Sequence, residues 1–97
     1  MGNTWHKSEI KGYEDRLCEL SCDIAMLTYD QTRNHIDALA NDLERQARGD
    51  EARGRRKLAS KLYDVVHSLY EARDRMDEAW KICEPYMDGY VEKKLDD

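Results

Sequence analysis

The chain has 97 residues, of which 38% are charged and 8% aromatic, with no Phe, a single Pro and a formal net charge of −5. That profile excludes a barrel or sheet sandwich as the first expectation and favours long solvated helices. The acidic balance disfavours nucleic acid as the main partner, and a hydrophobic content of 40%, regularly placed, excludes a disordered chain.

A length of 97 residues predicts a single domain, 1–97, near the lower limit for a self-sufficient core, so a partner chain would help it. The first twenty residues carry Lys7, Glu9, Lys11, Glu14, Asp15 and Arg16, which argues against a secretory signal. No apolar run approaches the roughly 18 residues of a membrane span, so no membrane partner is expected. An odd number of cysteines, three, reads as reduced thiols and a cytoplasmic location.

Residues 1–7 read as a lead-in, with Thr4 or Ser8 as the cap of a first helix. That helix is predicted over about 8–48, bent near Thr28–Asn34, where Thr and Asn lower the propensity. It carries two apolar stripes on nearly opposite faces. One is Ile10, Tyr13, Leu17, Leu20, Ile24 and Leu27; the other is Cys18, Cys22, Ala25, Tyr29, Thr32, Ile36, Leu39 and Leu43. A turn is expected at about 49–54, with Gly49 as the left-handed residue past the helix end and Asp50 as the next N-cap.

The second helix is predicted over about 51–84, with a stripe of Leu58, Leu62, Val65, Leu69, Ala72, Met76, Ala79 and Cys83 at alternating steps of four and three. That spacing is a coiled-coil pattern. Folding it back on the second stripe of the first helix pairs Leu43 with Leu58, Leu39 with Leu62 and Ile36 with Val65, about a pivot between 50 and 51. The fold class is therefore all-α: a long antiparallel helical hairpin, with a tail at 85–97 that kinks away or forms a short helix with Pro85 in its first turn. The leftover stripe, Ile10 to Leu27, predicts a homodimer with a four-helix core. Tyr63, Val66, Tyr70 and Trp80 are the next candidates for that interface.

Several constellations have a bland reading beside a functional one. The hairpin would bring Cys83 opposite Cys18 and Cys22, a potential zinc layer, but without a His beside them core packing is expected, and no metal or cofactor. Asp64 and His67 are spaced like a carboxylate–histidine metal pair, yet His67 should face solvent, which instead suggests a phosphotransfer histidine; the small and basic residues such domains place after it are missing. Arg48-Gly49-Asp50 is a helix stop and start before it is an adhesion motif.

Charge is polarised: residues 45–61 hold Arg45, Arg48, Arg53, Arg55, Arg56, Lys57 and Lys61 against Asp50 and Glu51, a net of +5, and the segments 1–44 and 62–97 each carry −5. The tip, through Arg48, Arg53, Arg55, Arg56 and Lys57, is a candidate contact for phosphate or an acidic protein surface, or simply a solvated turn. Trp5, Tyr13, Trp80, Tyr86 and Tyr90 gather toward the open end, as a packing plug or as a binding surface in which Trp80, Tyr86 and Tyr90 are partner-binding candidates. No catalytic constellation and no phosphate-cradling loop is evident, so no enzymatic role is expected.

Leu39-Ala40-Asn41, then Arg45-Gln46, a Gly-containing turn, a second heptad helix and an acidic tail resemble the layout of some small helical phage anti-CRISPR proteins, over about two-thirds of the chain. The resemblance implies a stoichiometric inhibitor in the host-cell cytoplasm that occupies a surface on a CRISPR effector or its nuclease. Secreted hairpins with a Trp-x-Gly turn have a similar length, but that turn is absent here. The expectation is a protein-binding inhibitor or adaptor, with a nucleic-acid-contacting tip as the alternative and a phosphotransfer or metal-binding bundle third.

Overall fold

The computed structural model describes residues 6–87, which form three helices and a closing 3-10 turn: α1 (Leu17–Ala25), α2 (Tyr29–Ala52), α3 (Arg56–Cys83) and Glu84–Tyr86. No strand occurs among the described residues. The antiparallel pair α2 and α3 makes the body of the molecule, and α1 contacts α2 but not α3. The expected cap Thr4, together with Trp5, Tyr90 and the tail from 88 to 97, lies outside the described residues.

The long first helix is not continuous. Residues 10–16 run as two hydrogen-bonded turns, because Gly12 (φ 93) and Asp15 (φ 60) occupy the left-handed region, which no helix tolerates. The Ser8 cap is therefore not used, and α1 starts at Leu17. The predicted bend is a full break. Thr28 is extended (ψ 151) between α1 and α2, and the Thr32 hydroxyl donates to the Ile24 carbonyl at 2.9 Å, tying the joint.

The hairpin turn lies later than its first glycine. Gly49 and Asp50 sit inside α2, and Gly54 (φ 85) is the left-handed residue. The Arg55 N–H donates to the Asp50 carbonyl at 2.8 Å and the Gly54 N–H to that of Glu51 at 3.0 Å, the pair of bonds that defines a Schellman stop. Arg55 also meets the Asp50 carboxylate at 2.9 Å and clamps the same turn. Asp50 is therefore part of a helix end, not the cap of the next helix.

Moving the turn moves the register. Arg33 meets Asp77 at 2.7 Å and Arg73 meets Asp37 at 2.7 Å, pairs symmetric about Arg55. The pairing about a pivot between 50 and 51 is thereby corrected. It would have set Asp37 level with Asp64, and Asp30 level with Glu71, like charge against like. In the observed register the seam is made of small residues: Ala40 and Ala47 are 0% exposed, and Ala59 and Val66 are buried with them. Val66, expected on the outer face, is thus a core residue. Ile36, Leu43, Leu62, Leu69 and Met76 are half-buried as flankers, and Leu39, Leu58 and Val65 are displaced from the predicted seam to the surface.

The result is thin. No large side chain is fully buried among the described residues, and the Cα radius of gyration is 17.1 Å, against about 13 Å for a globular chain of about 100 residues. The 3-10 turn at Glu84–Tyr86, with Pro85 in its first positions, ends α3 where the sequence places a kink.

The two turn-region glycines are expected to respond with opposite signs. Gly54→Ala forces a Cβ into the left-handed region and should destabilise by about 1–2 kcal/mol. Gly49→Ala should stabilise by about 0.5–1 kcal/mol, since the added Cβ would meet only the far end of the long Arg53 side chain, at 2.9 Å. Urea unfolding of the two variants measures both; the reverse order would place the turn at Gly49.

Candidate functional site

The α2–α3 seam has two unlike edges, and heptad position decides which residue lies on which. Ala40 and Ala47 of α2, with Ala59 and Val66 of α3, form the centre. Residues one position further round one way, Asp37, Glu44, Glu51, Tyr63, Tyr70 and Asp77, make a polar edge. Those the other way, Ile36, Leu39, Leu43, Leu58, Leu62, Val65 and Leu69, make an apolar one.

The polar edge is closed by its own contacts. Arg33 and Arg73 bridge to Asp77 and Asp37 across the seam. The Tyr70 hydroxyl donates toward Asn41 (2.5 Å) and Glu44 (3.1 Å), with the Arg73 guanidinium 4.7 Å over its ring, and Tyr63 donates to Glu51 at 2.9 Å. Hydrogen bonds from Lys81 and then Arg33 hold the Asp77 carboxyl below the usual carboxylate range. Burial, then donation to Glu44, pushes the Tyr70 hydroxyl up, and the bond to Glu51 does the same for Tyr63. Next to this edge a shallow open groove runs past Glu51, Arg56, Ser60, Asp64 and His67. His67 is exposed there, as expected.

The apolar edge has no such closure. Leu39, Leu58 and Val65 stand 41%, 42% and 44% exposed, with Leu43, Leu62 and Leu69 half-buried between them and the seam. They form one continuous strip shared by both helices. Single exposed apolar residues need no explanation, whereas here several lie together on one flank of the seam. α1 makes no contact with α3, and its side-chain link to α2 is the Thr32 hydroxyl on the Ile24 carbonyl, away from the hairpin tip.

The sequence-predicted sites are dispersed. Of the first stripe, Ile10, Leu17 and Leu27 are exposed, while Tyr13, Leu20 and Ile24 are half-buried. Tyr13 reaches Asp23 with its hydroxyl (3.3 Å) and takes Arg16 over its ring.

At the tip, Arg48 pairs with Glu44 at 2.9 Å, Arg55 with Asp50, and Arg45 with Asp42, so much of the basic charge is locally matched. Arg53 folds toward Gly49, leaving Arg56, Lys57 and Lys61 exposed and without an ion pair among the described residues. At the open end Trp80 is half-buried and Tyr86 exposed.

The cysteine layer does not form: Cys83 is buried, but Cys18 and Cys22 are exposed on α1, because the break at Thr28 removes α1 from the hairpin axis. Among the described residues no group of three or more His, Cys, Asp or Glu side chains is placed to hold a metal ion.

Periodicity alone pointed to Leu39, Leu58 and Val65 as core. Their alternative role was legible only from the alanines one position away, Ala40, Ala47 and Ala59, which offer a closer seam. Comparison with protein-family models, curated proteins and solved structures finds no match. No helix among the described residues is long and apolar enough to cross a membrane.

Thiol titration of the folded protein with Ellman's reagent should show two fast-reacting cysteines, Cys18 and Cys22, and a third, Cys83, that reacts only on unfolding. A single fast thiol, or three protected ones, would restore the buried cysteine layer.

Proposed function

We infer that the chain is a non-catalytic protein-binding module, an inhibitor or adaptor that works in the cytoplasm through association at the leucine edge of its hairpin. One observation carries the reading: a strip from Leu58 to Ile36, shared by two helices, on which Leu39, Leu58 and Val65 stand 41–44% exposed among the described residues. Burying one large aliphatic side chain contributes about 1.5–3 kcal/mol. Three of them left 41–44% exposed on one flank support a docking role for this edge. The closed polar edge and the locally paired tip support the same choice of surface.

The layout resemblance to helical anti-CRISPR inhibitors makes CRISPR effectors and their nucleases the first partner class to test. The alternative, phosphate contact through the tip, is favoured only by the exposed trio Arg56, Lys57 and Lys61.

The two readings separate in one experiment. The protein is titrated into guide-loaded CRISPR effector cleavage reactions, beside the double variant Leu58→Glu/Val65→Glu and the tip reversal Arg56→Glu/Lys57→Glu/Lys61→Glu. The leucine-edge reading expects saturable, stoichiometric inhibition that the first variant loses by at least about tenfold and the second largely keeps. Inhibition lost only on tip reversal, and falling steeply with salt, would transfer the function to phosphate contact.

A further inference from the structure

We propose that Cys18 and Cys22 form a two-sulfur site on α1 for a soft, thiophilic monovalent cation, copper(I). The site stands on α1 and is independent of the docking reading of the leucine edge.

Exposure is the first support. Cysteine is among the residues most often buried. Cys83 is buried, whereas Cys18 and Cys22 are both free and exposed. Neither fills a core, since α1 has no buried residue. Both sulfurs are open to an ion from solution, and no packing role accounts for them.

Spacing is the second. Residues four apart on a helix lie on one face, with Cβ atoms about 5–6 Å apart. A disulfide needs Cβ atoms about 3.5–4.5 Å apart, so the intact helix keeps the pair as thiols. A metal–sulfur bond is about 2.3 Å, so one ion between two sulfurs spans about 4.6 Å. Two side chains one turn apart close that gap by leaning toward each other.

The donor set selects the ion. Zinc in a closed site takes four ligands, and among the described residues no group of three or more His, Cys, Asp or Glu is placed to hold a metal. Three neighbouring carboxylates are engaged. Glu14 accepts from the Gly12 N–H at 3.1 Å, Glu19 meets Arg16 at 2.6 Å, and Asp23 accepts from the Tyr13 hydroxyl at 3.3 Å. Two thiolates without a hard donor make a soft set, which suits copper(I) and not calcium or magnesium. On binding, each thiol gives its proton to water and two sulfur–copper bonds form, with no change in oxidation state. The ion also ties one turn of a helix of 9 residues, shorter than the roughly 12–15 that an isolated helix needs.

The test is an anaerobic titration of the reduced full chain with copper(I), in competition with a chromophoric copper(I) chelator. Copper X-ray absorption reads the ligands, and far-UV circular dichroism reads the helix. The expected result is one copper(I) per chain on two sulfurs, with a helical signal that does not fall. Cys18→Ser and Cys22→Ser should each weaken binding by at least about 100-fold, and Cys83→Ala by no more than about threefold. Leu17→Cys/Cys18→Ser keeps two thiols on α1 but sets them five residues apart, off the shared face, and should cost at least about tenfold.

A wild-type chain that yields its copper to the chelator overturns the site. Binding that survives either serine variant is adventitious and overturns it too. Copper shared between two chains, or lost in Cys83→Ala, assigns the sulfurs to a different set and overturns the pair. Equal affinity in the shifted variant, or a helical signal that falls on loading, overturns the one-turn spacing as the basis of the site.

Discussion

Close approach of two helices at Ala40, Ala47 and Ala59 is the constraint on which the rest of the molecule depends. In a two-helix rod an alanine can be wholly covered only if the facing backbone comes near, and two of these three are fully covered. A seam this narrow has no room for leucine, so the leucines at neighbouring positions are pushed to one side. The polar groups at the opposite positions are brought within bonding distance, and the ion pairs of Arg33 and Arg73 follow. Each such pair, with side chains 26–40% exposed, adds little stability alone. Their effect is to fix the register, because a slip sets like charges level.

The leucine edge is therefore a consequence of how the hairpin closes, not a separate feature placed upon it. The same close packing that gives the rod a defined register leaves it short of buried volume and with an apolar strip on one flank. If the proposed docking holds, stability and association are coupled, because the surface that would complete the core is also the surface a partner would take. α1 stands apart from this arrangement. It is joined through extended Thr28 and held by the Thr32 hydroxyl on the Ile24 carbonyl, so its exposed cysteines and apolar residues take no part in the hairpin seam.

Much of the architecture was legible in the sequence. The all-helical class, the antiparallel hairpin, the weak point near Thr28 and the stop at Pro85 all follow from propensity, periodicity and the two strongest helix breakers. The register was not. The chain offers glycines at 49 and 54, and both suit a left-handed stop; choosing between them requires the charges that face each other across the two helices and the alanine spacing to be weighed together. That choice moves Leu39, Leu58 and Val65 from core to surface and Val66 from surface to core. The start of the first helix was missed because Asp15 adopts positive φ, which no residue pattern announces.

The most direct test of this account is the stability of Ala47→Leu. If the alanine seam sets the register, the three heavy atoms that leucine adds beyond Cβ have nowhere to go at a site that is 0% exposed, and urea unfolding should show a loss of about 1–3 kcal/mol. If the seam were instead formed by the leucine stripe, Ala47 would lie outside it, and the substitution would change stability by no more than about 0.5 kcal/mol, which would contradict the account.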